Sequence, residues 1–268
     1  MHIMKKTIAG DYIKIQNYTR HNIQAHKQPR KKRVNETIEA VKRYNDKLKA
    51  DKLQMLMIMN FRNGFFITLK YPNGSRPNEY QEADKTMLKA LRRIKRELQK
   101  EGNTLKYIAV TERGKRSGNL HHHIVVDSLA AATKLIQAWE GYASMEPIDN
   151  DGSFQNLASY LSKRDTKEEL PKGKSLYHIS RNLDKPTVVY EVSADKWDDI
   201  PKAPQGYEII ADSLKNGFND VLGIKYQSYL LKRQINAKER KKDNNKGKKA
   251  NRIFSWLHSW KGSRAAGQ

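Results

Sequence analysis

The chain has 268 residues, 37% hydrophobic and 30% charged, with a formal net charge of +23 and no cysteine. The lack of Cys excludes disulfide frameworks, thiolate nucleophiles and Cys-ligated zinc together, and the charge calls for a polyanionic partner, nucleic acid first. That charge is concentrated at the ends: residues 1–53 carry fourteen Lys/Arg against five Asp/Glu, and residues 233–268 eleven against two, which leaves +5 for residues 54–232.

Three regions are therefore expected. Residues 1–53 read as a basic N-terminal arm with a helix, 54–232 as the folded catalytic domain, and 233–268 as a basic C-terminal tail with a short amphipathic segment. Basic arms attract nucleic acid by releasing condensed counterions. The most apolar early run, Leu53–Met59, is far too short to span a bilayer, and the N-terminus lacks a signal-peptide core, so a soluble, cytoplasmic protein is expected.

In chain order, Ile38, Val41, Tyr44 and Leu48 at helical spacing predict a helix near Val34–Leu53. Gly64–Lys70 (GFFITLK) has the aromatic and β-branched content of a strand, and Tyr71-Pro72-Asn73-Gly74 supplies a turn after it. From Glu79 to Glu101, Met87, Leu91, Ile94 and Leu98 recur on one helical face among Lys and Arg, and Gly102 ends the helix. Thr104–Glu112 and Leu120–Asp127, joined by the polar loop RGKRSGN, read as a β-hairpin. Ser128 caps a helix running to Trp139, Phe154–Arg164 forms another, and Pro186–Val192 reads as a strand. Farther on, Tyr207–Ile210 is read as a short strand and Val221–Gln234 as a helix. Lys238–Lys249 is low in complexity, and Arg252–Trp260 is amphipathic. The fold class expected is α+β, an antiparallel sheet with flanking helices.

Two groups of residues carry chemistry. His121-His122-His123 lies in a strand, where side chains alternate, so His121 and His123 share one face and His122 faces the apolar side with Leu120, Ile124 and Val126. If Glu112 pairs with His121 across the hairpin, eight residues remain in the loop and the two side chains share a face about 5 Å apart. Two imidazoles and a hard carboxylate suit a divalent ion, Mg²⁺ or Mn²⁺ in use. The second group is Tyr160-Leu161-Ser162-Lys163, where Tyr160 and Lys163 are helical neighbours off the stripe formed by Phe154, Leu157, Ala158 and Leu161. The spacing Tyr-x-x-Lys also occurs at Tyr44–Lys47 and Tyr229–Lys232, so it is not selective by itself.

A strand reading His-x-His, preceded by a strand ending in Glu and followed by a helix with Tyr-x-x-Lys, resembles the HUH endonucleases. The order, histidines before tyrosine, is similar to their Rep class, which initiates rolling-circle replication of plasmids and single-stranded phages. The resemblance spans Gly64 to Val192 and extends to LYHISRNL at Leu176–Leu183. It implies a metal held by Glu112, His121 and His123, and Tyr160 as the nucleophile with Lys163 stabilising charge beside it. It also implies nicking and rejoining of single-stranded origin DNA through a 5′-phosphotyrosine. His122 departs from the pattern, since the middle position of the family motif is usually apolar. Gly173-Lys174-Ser175 resembles the end of a P-loop, but Glu168 stands where its first glycine belongs, so a helicase of the host is the expected partner. Two rival readings exist: a mobilisation relaxase using Tyr12 or Tyr18, and a non-enzymatic basic DNA-binding protein.

Overall fold

A computed structural model describes residues 1–19, 39–148, 153–162, 177–193, 197–219 and 224–234 of the chain. Two compact units are present, Met1–Lys232 and Arg233–Gln268. Of the second, only Arg233 and Gln234 are described, so Lys238–Lys249 and Arg252–Trp260 lie outside the described residues.

The elements are β1 (His2–Ala9), β2 (Tyr12–Thr19), α1 (Glu39–Asn60), β3 (Phe65–Lys70), α2 (Tyr80–Lys100), β4 (Tyr107–Arg113), β5 (Leu120–Val126) and α3 (Leu129–Ala138). There follow β6 (Tyr142–Pro147), α4 (Gln155–Ser162), β7 (His178–Ile179), β8 (Thr187–Ser193), β9 (Tyr207–Ile209), β10 (Lys215–Asn219) and β11 (Ile224–Arg233). The fold is α+β with antiparallel sheets, and the His-x-His segment lies on β5.

The five-stranded sheet, in the order β6-β3-β5-β4-β7, is covered on both faces. On one side Met87, Leu91, Ile94 and Leu98 of α2 and Ala131, Ala132 and Leu135 of α3 pack on Ile67, Leu69, Ala109, Ile124 and Val126. The α2 stripe is the one its spacing predicts, and each buried aliphatic side chain there contributes about 1.5–3 kcal/mol. The helix stops at Gly102, whose φ of +73° a side chain would strain. Ser128 caps α3 by accepting from the Ala131 amide at 3.3 Å. On the other side Leu53, Met57 and Phe61 of α1 and its end, with Phe154, Ala158 and Leu161 of α4, pack on Ile108, Val110 and Val125.

The second sheet runs β10-β11-β2-β1-β8, with β9 added to β11. Where the sequence suggests a basic lead-in, His2–Thr19 is a hairpin inside this sheet. Its inward positions include Lys14, which bonds Asp51 and, at 3.0 Å, Gln54 of α1, and Asn17, which donates to Gln227 at 2.8 Å. These polar inward residues conceal the strand alternation. Helix α1 starts later than expected and runs on through Leu53–Met59. That run is apolar because the helix packs on both sheets: Ala9, Tyr12 and Leu230 join the same core.

The helix expected at Val221–Gln234 is a strand, β11. Leu230 faces α1 while Tyr229 and Leu231 face Ile15 and the β9 side. With both faces covered, the apolar run loses the period of two that marks a strand. The expected strands at Pro186–Val192 and Tyr207–Ile210 are β8 and β9, whereas β6, β7 and β10 carry no clear sequence signal.

Candidate metal centre and nucleophile

The hairpin β4–β5 sets Glu112 directly opposite His121 and Val110 opposite His123. Its loop closes through the Gly114 amide, which donates to the Asn119 carbonyl at 2.9 Å. Alternation then puts Glu112, His121 and His123 on the face toward α1 and α4, and one ligand atom from each lies within 4.8 Å of the others. Glu112 and His123 are buried, 2% and 7% exposed, and His121 is half-buried.

The rings are held by neighbours the sequence does not single out. His121 Nδ1 lies 3.3 Å from the Asn119 carbonyl and must donate to it, which leaves Nε2 as a lone pair. His123 Nδ1 lies 3.1 Å from Thr68 Oγ1 of β3, and Phe66 stacks on its ring at 5.1 Å. The two Nε2 atoms are 3.1 Å apart. That separation matches adjacent positions of an octahedron with bonds of about 2.1 Å, so the donor set fits a hard divalent ion. To ligate, His123 must carry its proton on Nδ1, and the Thr68 hydroxyl can accept from it there.

Helix α4 brings Tyr160 to the same point. Ala158 and Leu161 anchor the helix in the core, while Tyr160 remains 39% exposed. Its hydroxyl donates to Glu112 Oε2 at 3.0 Å and lies 2.8 Å from His123 Nε2. Burial first, then the charge of Glu112 and the hydrogen bond to it, push the phenol well above its ordinary value of 10.0. The site as it stands therefore holds Tyr160 protonated. Just ahead of this helix, Phe154 sits at φ +47°, a left-handed backbone uncommon outside glycine, with its ring in the core.

The structure thus gathers Glu112, His121, His123 and Tyr160, and Lys163 lies outside the described residues. Tyr12, a candidate under the relaxase reading, is 5% exposed and packed in the core, and Tyr18 belongs to β2 in the other sheet. Tyr229 of the third Tyr-x-x-Lys is buried in β11. His122 points away from the centre and is fully buried. Thr68 and Asn119 are absent from the sequence reading. Finding Thr68 requires the β3–β5 register, which pairs it with His123.

Among the described residues, no helix is long and apolar enough to cross a membrane. No curated protein and no solved structure matches the chain. Residues 64–169, which include the three ligand candidates, Tyr160 and Lys163, match the family of replication-associated proteins of the ORF2 type. The chain therefore carries a domain of this rolling-circle replication initiator family, in agreement with the HUH Rep class.

Proposed function

We propose that the chain nicks one strand of a replication origin and later rejoins it, with Tyr160 as nucleophile and Glu112, His121 and His123 holding Mg²⁺ or Mn²⁺. The observation that carries this reading is the Tyr160 hydroxyl, placed within hydrogen-bond reach of both Glu112 and His123. Of the tyrosines the sequence offers as nucleophiles, it is the one that lies against the three ligand candidates.

The bond formed joins Tyr160 Oη to phosphorus, and the bond broken is that from phosphorus to the 3′ oxygen. Tyr160 gives up its proton, for which Glu112 Oε2 is the carboxylate oxygen in contact, and the released 3′-hydroxyl takes one up. The exchange therefore balances without ATP, and its reversal rejoins the strand. A phenol held above its usual pKa is a poor nucleophile, so attack depends on positive charge near the phosphate. The divalent ion supplies that charge when bound, and Lys163, three residues along the chain, supplies more. Strand separation then falls to a host helicase.

The test is cleavage of single-stranded origin oligonucleotide with Mn²⁺, followed by mass spectrometry of the covalent adduct. The expected adduct is on the Tyr160 peptide. An adduct on Tyr12 or Tyr18, or binding without cleavage, would overturn the assignment.

A further inference from the structure

The back of the metal strand carries a second polar cluster, built on the residue that departs from the family motif. His122 Nε2 lies 2.7 Å from Tyr71 Oη, and its Nδ1 lies 3.0 Å from Thr111 Oγ1. Thr111 donates in turn to Asp84 Oδ1 of α2 at 3.1 Å. The Asp84 carboxylate also receives His178 Nε2 of β7, at 2.8 and 3.0 Å from its two oxygens.

One proton arrangement satisfies every member. Thr111 has a single hydrogen, which goes to Asp84, so its oxygen accepts from His122 Nδ1–H. His122 Nε2 is then a lone pair and accepts from the Tyr71 hydroxyl. All donors point one way and end on Asp84. Burial raises the Asp84 pKa, but the bond from His178, its charge and the bond from Thr111 outweigh that and hold it below the ordinary 3.8. An anionic acceptor makes these the stronger kind of hydrogen bond.

The positions matter because Thr111 and His122 are direct cross-strand partners. Thr111 adjoins Glu112, and His122 sits between His121 and His123. Whatever fixes the middle residues fixes the facing and twist of the residues on either side, since a slip of one position turns every side chain to the other face. An apolar middle residue would leave this to packing. Here the strand pair is tied from behind to a helix and to β7, in the block Leu176–Leu183 that the nicking chemistry does not otherwise use.

We propose that Asp84 is a positioning residue for the metal centre, acting through Thr111 and His122 from the far face of the sheet, with His178 holding its carboxylate. This rests on Glu112, His121 and His123 being the metal ligands. Loss of an outer partner of a metal site costs roughly 10–100-fold in metal affinity.

The experiment is a double-mutant cycle read by calorimetric Mn²⁺ titration of the full chain, at a temperature where circular dichroism shows each variant folded. Asp84→Ala is expected to weaken Mn²⁺ binding roughly tenfold or more. In a His122→Leu background, where the connection is already cut, the same substitution is expected to change affinity less than about twofold. Should Asp84→Ala not fold, Asp84→Asn keeps the shape, removes the charge and is expected to follow the same pattern at roughly threefold or more. An unchanged affinity in a folded Asp84 variant overturns the proposal, as does an equal loss in both backgrounds. A parent chain that binds no Mn²⁺ overturns the ligand assignment instead, so the two failures are distinct.

Discussion

The two faces of the β4–β5 hairpin use similar residues to opposite ends. On the back, Tyr71, His122, Thr111, Asp84 and His178 pair donors with acceptors until each group is satisfied. On the front, two histidine nitrogens 3.1 Å apart, a carboxylate and a phenol crowd toward one point. Buried polar groups confer rigidity when their network is complete and reactivity when several aim at one place. A single pair of strands achieves both because its side chains alternate. Front substitutions should then remove chemistry while leaving stability, and back substitutions should do the reverse except through the metal site.

The largest effect expected is for Tyr160→Phe, which keeps the ring and removes the hydroxyl. Single-turnover cleavage should fall on the order of 10³-fold or more, with oligonucleotide binding retained. Near-normal cleavage would end the comparison, because the front would then lack its nucleophile. Next, His121→Ala and His123→Ala should each weaken Mn²⁺ binding by about 10²-fold or more, with melting in EDTA little changed. If His122→Ala damaged metal affinity most, the facing of β5 would be wrong.

A pH series on the metal-free chain in EDTA sharpens the contrast. Burial pushes His122 down to about 3, against a partial opposing pull from Asp84. The unfolded chain takes up this proton near the ordinary 6.5 and the folded chain does not until about 3. The folded state is therefore favoured above 6.5 and loses stability as pH falls through that window, by up to about 1.4 kcal/mol per pH unit. His122→Leu should flatten that slope between pH 6 and 4 in chemical denaturation, and an unchanged slope would mean His122 does not stay neutral in the fold. The smallest effect is expected from deleting residues 238–268. Affinity for DNA should drop and its salt dependence flatten, while cleavage at saturating oligonucleotide persists. An unchanged salt slope would take the tail away from DNA.

How legible this was depends on sequence distance. Glu112 opposite His121 follows from a hairpin whose glycine-containing loop fixes the register, and the facing of His121, His122 and His123 follows from strand alternation alone. Helix α2 announces its buried side through four aliphatic residues. The outer partners are different: Thr68, Asp84 and His178 reach the hairpin only after β3, α2 and β7 pack around it, and no local pattern encodes that. The hairpin β1–β2 was hidden by inward Lys14 and Asn17, whose partners Asp51 and Gln227 lie far along the chain. Strand β11 was hidden by having two buried faces.

The pairing of β2 with β11, in which Asn17 meets Gln227 across 210 residues, also sets an order of events during synthesis. While the ribosome is still extending the chain toward Arg233, the hairpin β1–β2 has one edge without its neighbour, and α1 lacks the cover of Leu230. Contacts this distant in sequence slow folding and leave strand edges open to wrong partners in the meantime. The stretch 64–169 alone lacks α1, so Ile108, Val110 and Val125 would meet water where Leu53, Met57 and Phe61 now cover them. The residues that carry the chemistry are contiguous in sequence, but the core that holds them becomes complete only when nearly the last described residue has left the ribosome.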